Sequence, residues 1–91
     1  MPKNFGTMVP GADIDFSLNL APKIPAGASL TAAAINVRSG GAAAQVTRTA
    51  IADTTVYLNI VALAPGICVF DVVGTFSSGR DDGEQCQVSV E

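Results

Sequence analysis

Between Asp13 and Leu20 the chain alternates without a break: Ile14, Phe16, Leu18 and Leu20 stand between Asp13, Asp15, Ser17 and Asn19. Successive side chains of a strand point to opposite faces, so this segment is expected to be a half-buried strand with one wet face. The same period returns near the end of the chain. Within Ile67 to Phe76, Cys68, Phe70 and Val72 share one face and Val69, Asp71 and Val73 the other. Cys86, Val88 and Val90 then alternate with Gln85, Gln87 and Ser89. With the polar stretch Ser77 to Gly83 between them, these two segments read as a terminal hairpin.

The intervening chain is consistent with more strands. Ala21 to Gly27 holds Pro22, Pro25 and Gly27, cannot continue a ladder and reads as a loop. From Leu30 to Arg38, Ala33, Ile35 and Val37 are expected to face inward and Asn36 and Arg38 outward. A short helix over Ala28 to Val37 competes, because alanine is the best helix former, but Ile35 and Val37 favour a strand. Gln45 to Ile51 is a weaker strand and Thr54 to Leu63 a stronger one, joined by a turn at Asp53. Ala64-Pro65-Gly66 is a turn by composition. Short strands at roughly ten-residue spacing, with no secure helix, predict an all-β fold: an immunoglobulin-like antiparallel β-sandwich of about 6–7 short strands.

A chain of 91 residues supports one domain, here 1–91, with residues 1–4 as a flexible N-terminal arm able to order against a partner. Its core is thin, since alanine and glycine supply much of the apolar fraction and tryptophan is absent. The net charge of −3 and five scattered cations argue against nucleic acid as a partner. No window approaches the run of about 18 apolar residues that a membrane helix needs, and no leader pattern opens the chain. The expectation is a soluble protein made in the cytoplasm.

Histidine is absent, which removes Ser-His and Cys-His nucleophiles and histidine metal sites. Asp13 and Asp15 share a strand face about 7 Å apart, but on the solvent side, where such pairs solubilise. Asp81, Asp82 and Glu84 are the weak metal candidates: they offer oxygens for Ca²⁺, without the spacing of an EF-hand loop, and a hydrated acidic turn is the simpler reading. No cofactor is expected. If the last hairpin turns at Gly79-Arg80, Cys86 faces Gly74 and lies about six residues, roughly 20 Å, from the level of Cys68. Both cysteines are therefore expected to be buried, reduced thiols.

Beyond these readings, the sequence resembles small bacteriophage virion accessory proteins with an Ig-like fold, of the fibre-tail adaptor and capsid decoration type. The resemblance is carried by Asp13-Ile14-Asp15-Phe16, Ala26 to Leu30, Thr55-Val56-Tyr57-Leu58, and best by Gly66 to Phe76 followed by Ser77 to Glu84. Two features depart from it: a tryptophan expected near the first strand is missing, and Cys68 stands where a tyrosine is usual. It implies a non-enzymatic structural protein of the virion, bound to the major capsid protein or to tail and fibre proteins, in many copies or as a homo-oligomer.

Candidate partner contacts fall in three places. Pro22, Lys23 and Pro25 lie in a loop stiffened by its prolines, whose ordering cost on binding is reduced. Gly40, Gly41 and Ala42 open an uncharged small-residue strip, readable as a packing surface or as a flexible loop. Arg80 either contacts a partner or braces its own turn against Asp81. Free sheet edges offer β-strand addition. The alternative function is a carbohydrate- or cell-surface-binding Ig-like module, which requires an exposed aromatic; Tyr57 is the residue to watch.

Overall fold

In the computed structural model, which describes residues 3–91, every segment with period-2 alternation is a strand. In chain order these are β1 (Lys3–Met8), β2 (Asp13–Asn19), β3 (Leu30–Ser39), β4 (Ala44–Ala52), β5 (Thr55–Ala62), β6 (Gly66–Phe76) and β7 (Asp81–Val90). One sheet has the order β1-β7-β6-β3 and the other β2-β5-β4. Hairpins join β4 to β5 and β6 to β7 within a sheet, while the connections after β1, β2, β3 and β5 cross between sheets. This is the immunoglobulin-like sandwich, with the first strand on the edge of the β3-β6-β7 sheet. The helix alternative over 28–37 gives way to β3, because that segment pairs with β6 from Leu30 to Ser39.

The core lies between the sheets. Leu18, Leu20, Val56, Leu58 and Ile60 from one side meet Cys68, Phe70, Val72, Cys86 and Val88 from the other, all essentially without solvent exposure. In β2, β6 and β7 these are the inward parities that alternation assigns. At two places the inward parity is exposed: Ile14 at the start of β2 and Val37 near the end of β3, 44% and 46% accessible. Each sits toward the end of an edge strand, where the opposite sheet no longer covers it.

Three expectations are corrected. The arm over 1–4 is in part a strand: Lys3 and Asn4 pair in parallel with Cys86 and Gln87, while Met1 and Pro2 lie outside the described residues. Phe5 explains the docking, since its ring lies 5.0 Å from that of Phe16 and stacks on Phe70 at 6.1 Å. Gly6, at φ +98°, takes the bulge that lets β1 follow β7 past Asn4.

The second correction is the hairpin register. β7 begins at Asp81, since the turn is confined to four residues closed by Phe76 N–H donating to the Arg80 carbonyl and Gly79 N–H to that of Phe76. Cys86 therefore faces Phe70 and Cys68 faces Val88. The shift is an even number of residues, so each face keeps its side chains. The third concerns the thiols, which are free and buried as expected, but as diagonal neighbours on adjacent strands. Such diagonal positions stand about 7–8 Å apart, still outside the Cα range of a disulfide.

Candidate docking surface

The connections crossing the two ends of the sandwich differ in chemistry. The molecule extends 42 Å along its longest axis, against 21 and 16 Å across. At one end lie residues 20–29, 53–54 and 77–80, with Pro22, Lys23, Asp53 and Arg80. At the other lie residues 9–12, 40–43 and 63–65, which read Val-Pro-Gly-Ala, Gly-Gly-Ala-Ala and Leu-Ala-Pro and carry no charge.

The polar end is braced by its own hydrogen bonds. Ser29 N–H donates to Ser77 Oγ at 2.9 Å and Ser77 N–H donates to the Ser29 carbonyl at 2.8 Å, clasping the two longer loops. Asn19 Oδ1 accepts from Ala21 N–H and Thr54 Oγ1, holding the single 3-10 turn at Ala21–Lys23. Pro22, Lys23 and Arg80 are exposed here and Pro25 is half-buried. The Arg80 turn is braced through its backbone, and its guanidinium makes no ion pair among the described residues.

The uncharged end collects exposed apolar side chains. Val9 is 58% accessible, Leu63 51% and Ile67 55%, with Pro10 and Pro65 exposed among them. Its loops are stitched together. Ala43 N–H donates to the Gly40 carbonyl, the Ala43 carbonyl accepts from Leu63 and Ala64, and Gly11 N–H donates to the Ala62 carbonyl. Gly40 allows this closeness. It sits at φ +72°, and a Cβ there would stand 1.9 Å from the Ile67 carbonyl oxygen. Gly40, Gly41 and Ala42 thus form a tight turn against the start of β6. Asp13 and Arg38 flank these loops in sequence and Glu91 N–H donates to the Met8 carbonyl beside them; all three are exposed and give the apolar centre a charged rim.

The structure therefore separates the sequence candidates instead of joining them. Pro22, Lys23, Pro25 and Arg80 occupy one end and Gly40, Gly41 and Ala42 the other. Val9, Leu63 and Ile67 join the second group without having been marked in the sequence. Their signal was present, since the first, third and fifth connections are all short, uncharged and rich in proline, glycine or alanine.

No cavity is present among the described residues, nor a group of three metal-ligating side chains. Asp81, Asp82 and Glu84 fail as a cluster for a simple reason: period 2 along β7 sends Asp81 to one face and Asp82 and Glu84 to the other. Asp13 and Asp15 do share a face, where Asn59 Nδ2 donates to Asp13 Oδ1 at 2.5 Å and to Asp15 Oδ1 at 3.0 Å. Tyr57 lies on the same outer face, 42% accessible between Ser17 and Ala50 on the flanking strands.

The interior thiols are chemically quiet. Burial, reinforced by the Glu84 charge, pushes the Cys86 thiol up to about 12, and burial raises Cys68 as well. Cys86 Sγ donates to the Glu84 carbonyl, which further favours the neutral form.

No family model matches the chain, and no curated protein matches it. Among solved structures it is similar to "Solution Structure of Amebosin", with a TM-score of 0.52 at 15% identity, covering 100% of this chain and 99% of that one. That likeness speaks to the fold alone.

Proposed function

We propose that this chain is a non-enzymatic structural module of a bacteriophage virion, seated on the particle through its uncharged end as a capsid decoration or cement protein or as a tail-fibre adaptor. The observation that carries the docking is the pre-formed apolar end around Val9, Leu63 and Ile67, opposite an end that is polar and self-braced. Loops already stitched together lose little freedom on binding. An end 21 by 16 Å across presents on the order of 300 Å², well below the roughly 800 Å² per partner of a stable isolated complex. The fitting partner is a surface displayed in many copies, such as an assembled capsid or tail, where avidity compensates for a small contact. The virion assignment itself rests on the resemblance at Gly66 to Glu84.

Quantitative mass spectrometry of purified particles from cells producing this chain tests the reading. Hundreds of copies identify a capsid role and about a dozen a tail role, while absence from particles overturns it. The double variant Leu63→Asp/Ile67→Asp is expected to fold and to be lost from the particles. A second reading, a carbohydrate- or cell-surface-binding module, is favoured by the exposure of Tyr57 between small neighbours. A reproducible glycan-array signal abolished by Tyr57→Ala would promote it.

A further inference from the structure

We infer that the free edge of β3 pairs antiparallel with the β3 of a second copy, so that two four-stranded sheets join into one of eight strands. This goes beyond docking through the apolar end and uses the side of the sandwich, which meets that end only where Val37 lies beside Gly41.

A sheet edge displays unpaired N–H and C=O groups, and proteins ordinarily blunt such edges with charges, bulges or short strands. Three of the four edges here are blunted. In β1 the pairing with β7 shifts between Asn4 and Thr7 around Gly6, and Lys3 is charged. In β4 the register shifts at mid-strand, between Arg48 and Ala50. Edge strand β2 carries Asp13 and Asp15, so two copies would bring four carboxylates together.

β3 differs. At ten residues it is the longest edge, and its irregularities lie near its two ends, between Leu30 and Ala32 and between Val37 and Ser39. The run between them, Ala32-Ala33-Ala34-Ile35-Asn36-Val37, is regular and uncharged. The single charged residue of the strand, Arg38, is drawn away from the edge: its Nε donates to Asp71 Oδ2 on β6 at 2.5 Å. Thr31 likewise turns inward, donating from Oγ1 to the Thr75 carbonyl.

The occupant follows from the side chains. Ala33, Ile35 and Val37 share the core-facing parity opposite Gly74, Val72 and Phe70, yet Val37 is 46% accessible and Ile35 only partly covered. A two-fold axis normal to the sheet preserves which face is which, so opposed residues must have the same parity. With Ile35 opposite Ile35 of the second copy, Val37 falls opposite Ala33, and the uncovered apolar side chains meet each other. On the outer face Ala34 falls opposite Asn36. No charge opposes a like charge, since Arg38 falls opposite Ala32, and from Ala33 to Val37 every side chain is small or β-branched except Asn36. The strand thus opposes itself with no charge conflict and with its uncovered apolar side chains meeting, and on that ground a second copy is the occupant inferred. The regular run spans about 20 Å, a contact too small for tight association, so the dimer is expected to be concentration-dependent.

Sedimentation velocity of the full chain from about 10 µM to about 1 mM is the test. A shift from monomer to dimer over that range is expected, with slower exchange of β3 amides at the higher concentration. Val37→Lys places a charge on the inward side of the edge at an exposed position. It is expected to keep the fold by circular dichroism and to weaken dimerisation at least tenfold. A chain that stays monomeric at the highest concentration overturns the inference. So does a dimer that survives Val37→Lys, or one dissociated by Leu63→Asp/Ile67→Asp in its place.

Discussion

Raising the pH puts the buried hairpin thiol to the test. Cys86 has no solvent exposure, and its pKa is raised from the ordinary 9.0 to about 12. An acid whose folded pKa is raised stays protonated in the native state while the unfolded chain loses the proton. The unfolded state then binds fewer protons, so stability falls with pH, beginning near 9 and levelling off near 12. The slope through that window approaches about 1.4 kcal/mol per pH unit, and the loss at about pH 10.5 is about 2 kcal/mol from this thiol alone. Other groups titrate in the same range, so the measurement is a comparison. Urea unfolding of the native chain and of Cys86→Ala is followed from pH 7 to about 11, and the stability difference between them is plotted against pH. The variant starts lower, because a cavity is left beside Phe70, and the gap is expected to narrow as the pH rises past 9. A difference that stays flat to pH 11 would refute the placement of Cys86 in the interior. Cys68 shifts in the same direction and adds to the loss in both proteins.

Further expectations concern the packing and the apolar end. Phe70→Ala removes the largest fully buried side chain and is expected to cost about 3–5 kcal/mol, a fall in Tm of at least roughly 12 °C in a scanning calorimeter. Phe5→Ala is expected to cost less, about 1–2 kcal/mol, because Phe5 is half-buried; no loss at all would mean that β1 is not docked on the core. Gly40→Ala must adopt a left-handed backbone and drive a Cβ into the Ile67 carbonyl. A loss of at least about 2 kcal/mol in denaturant is expected, and a neutral outcome would show that this turn is not held against β6.

Alternation alone assigned the faces of β2, β3, β6 and β7, because the period of a strand is set by backbone geometry and needs no partner. It located the glycine and proline turns, which depend on local φ and ψ, and the lack of histidine limited the chemistry before any fold was known. What alternation does not contain is which strands are neighbours. β1 escaped because Lys-Asn-Phe-Gly-Thr-Met has no clear period, and its place beside β7 is a parallel pairing fixed by Phe5 reaching Phe16 and Phe70, far away in sequence. The hairpin register was set by a four-residue turn whose length the composition of Ser77 to Gly83 does not reveal.

The candidate surface shows the same division. Gly40, Gly41 and Ala42 were marked by their own composition, but Val9, Leu63 and Ile67 became partners only when topology brought the first, third and fifth connections to one end. The sequence determined six of the seven strands, the faces of four of them and the absence of histidine chemistry, since each of these is local. Only the tertiary structure decided which loops share an end and which edge is left bare, because both depend on the order of strands in a sheet.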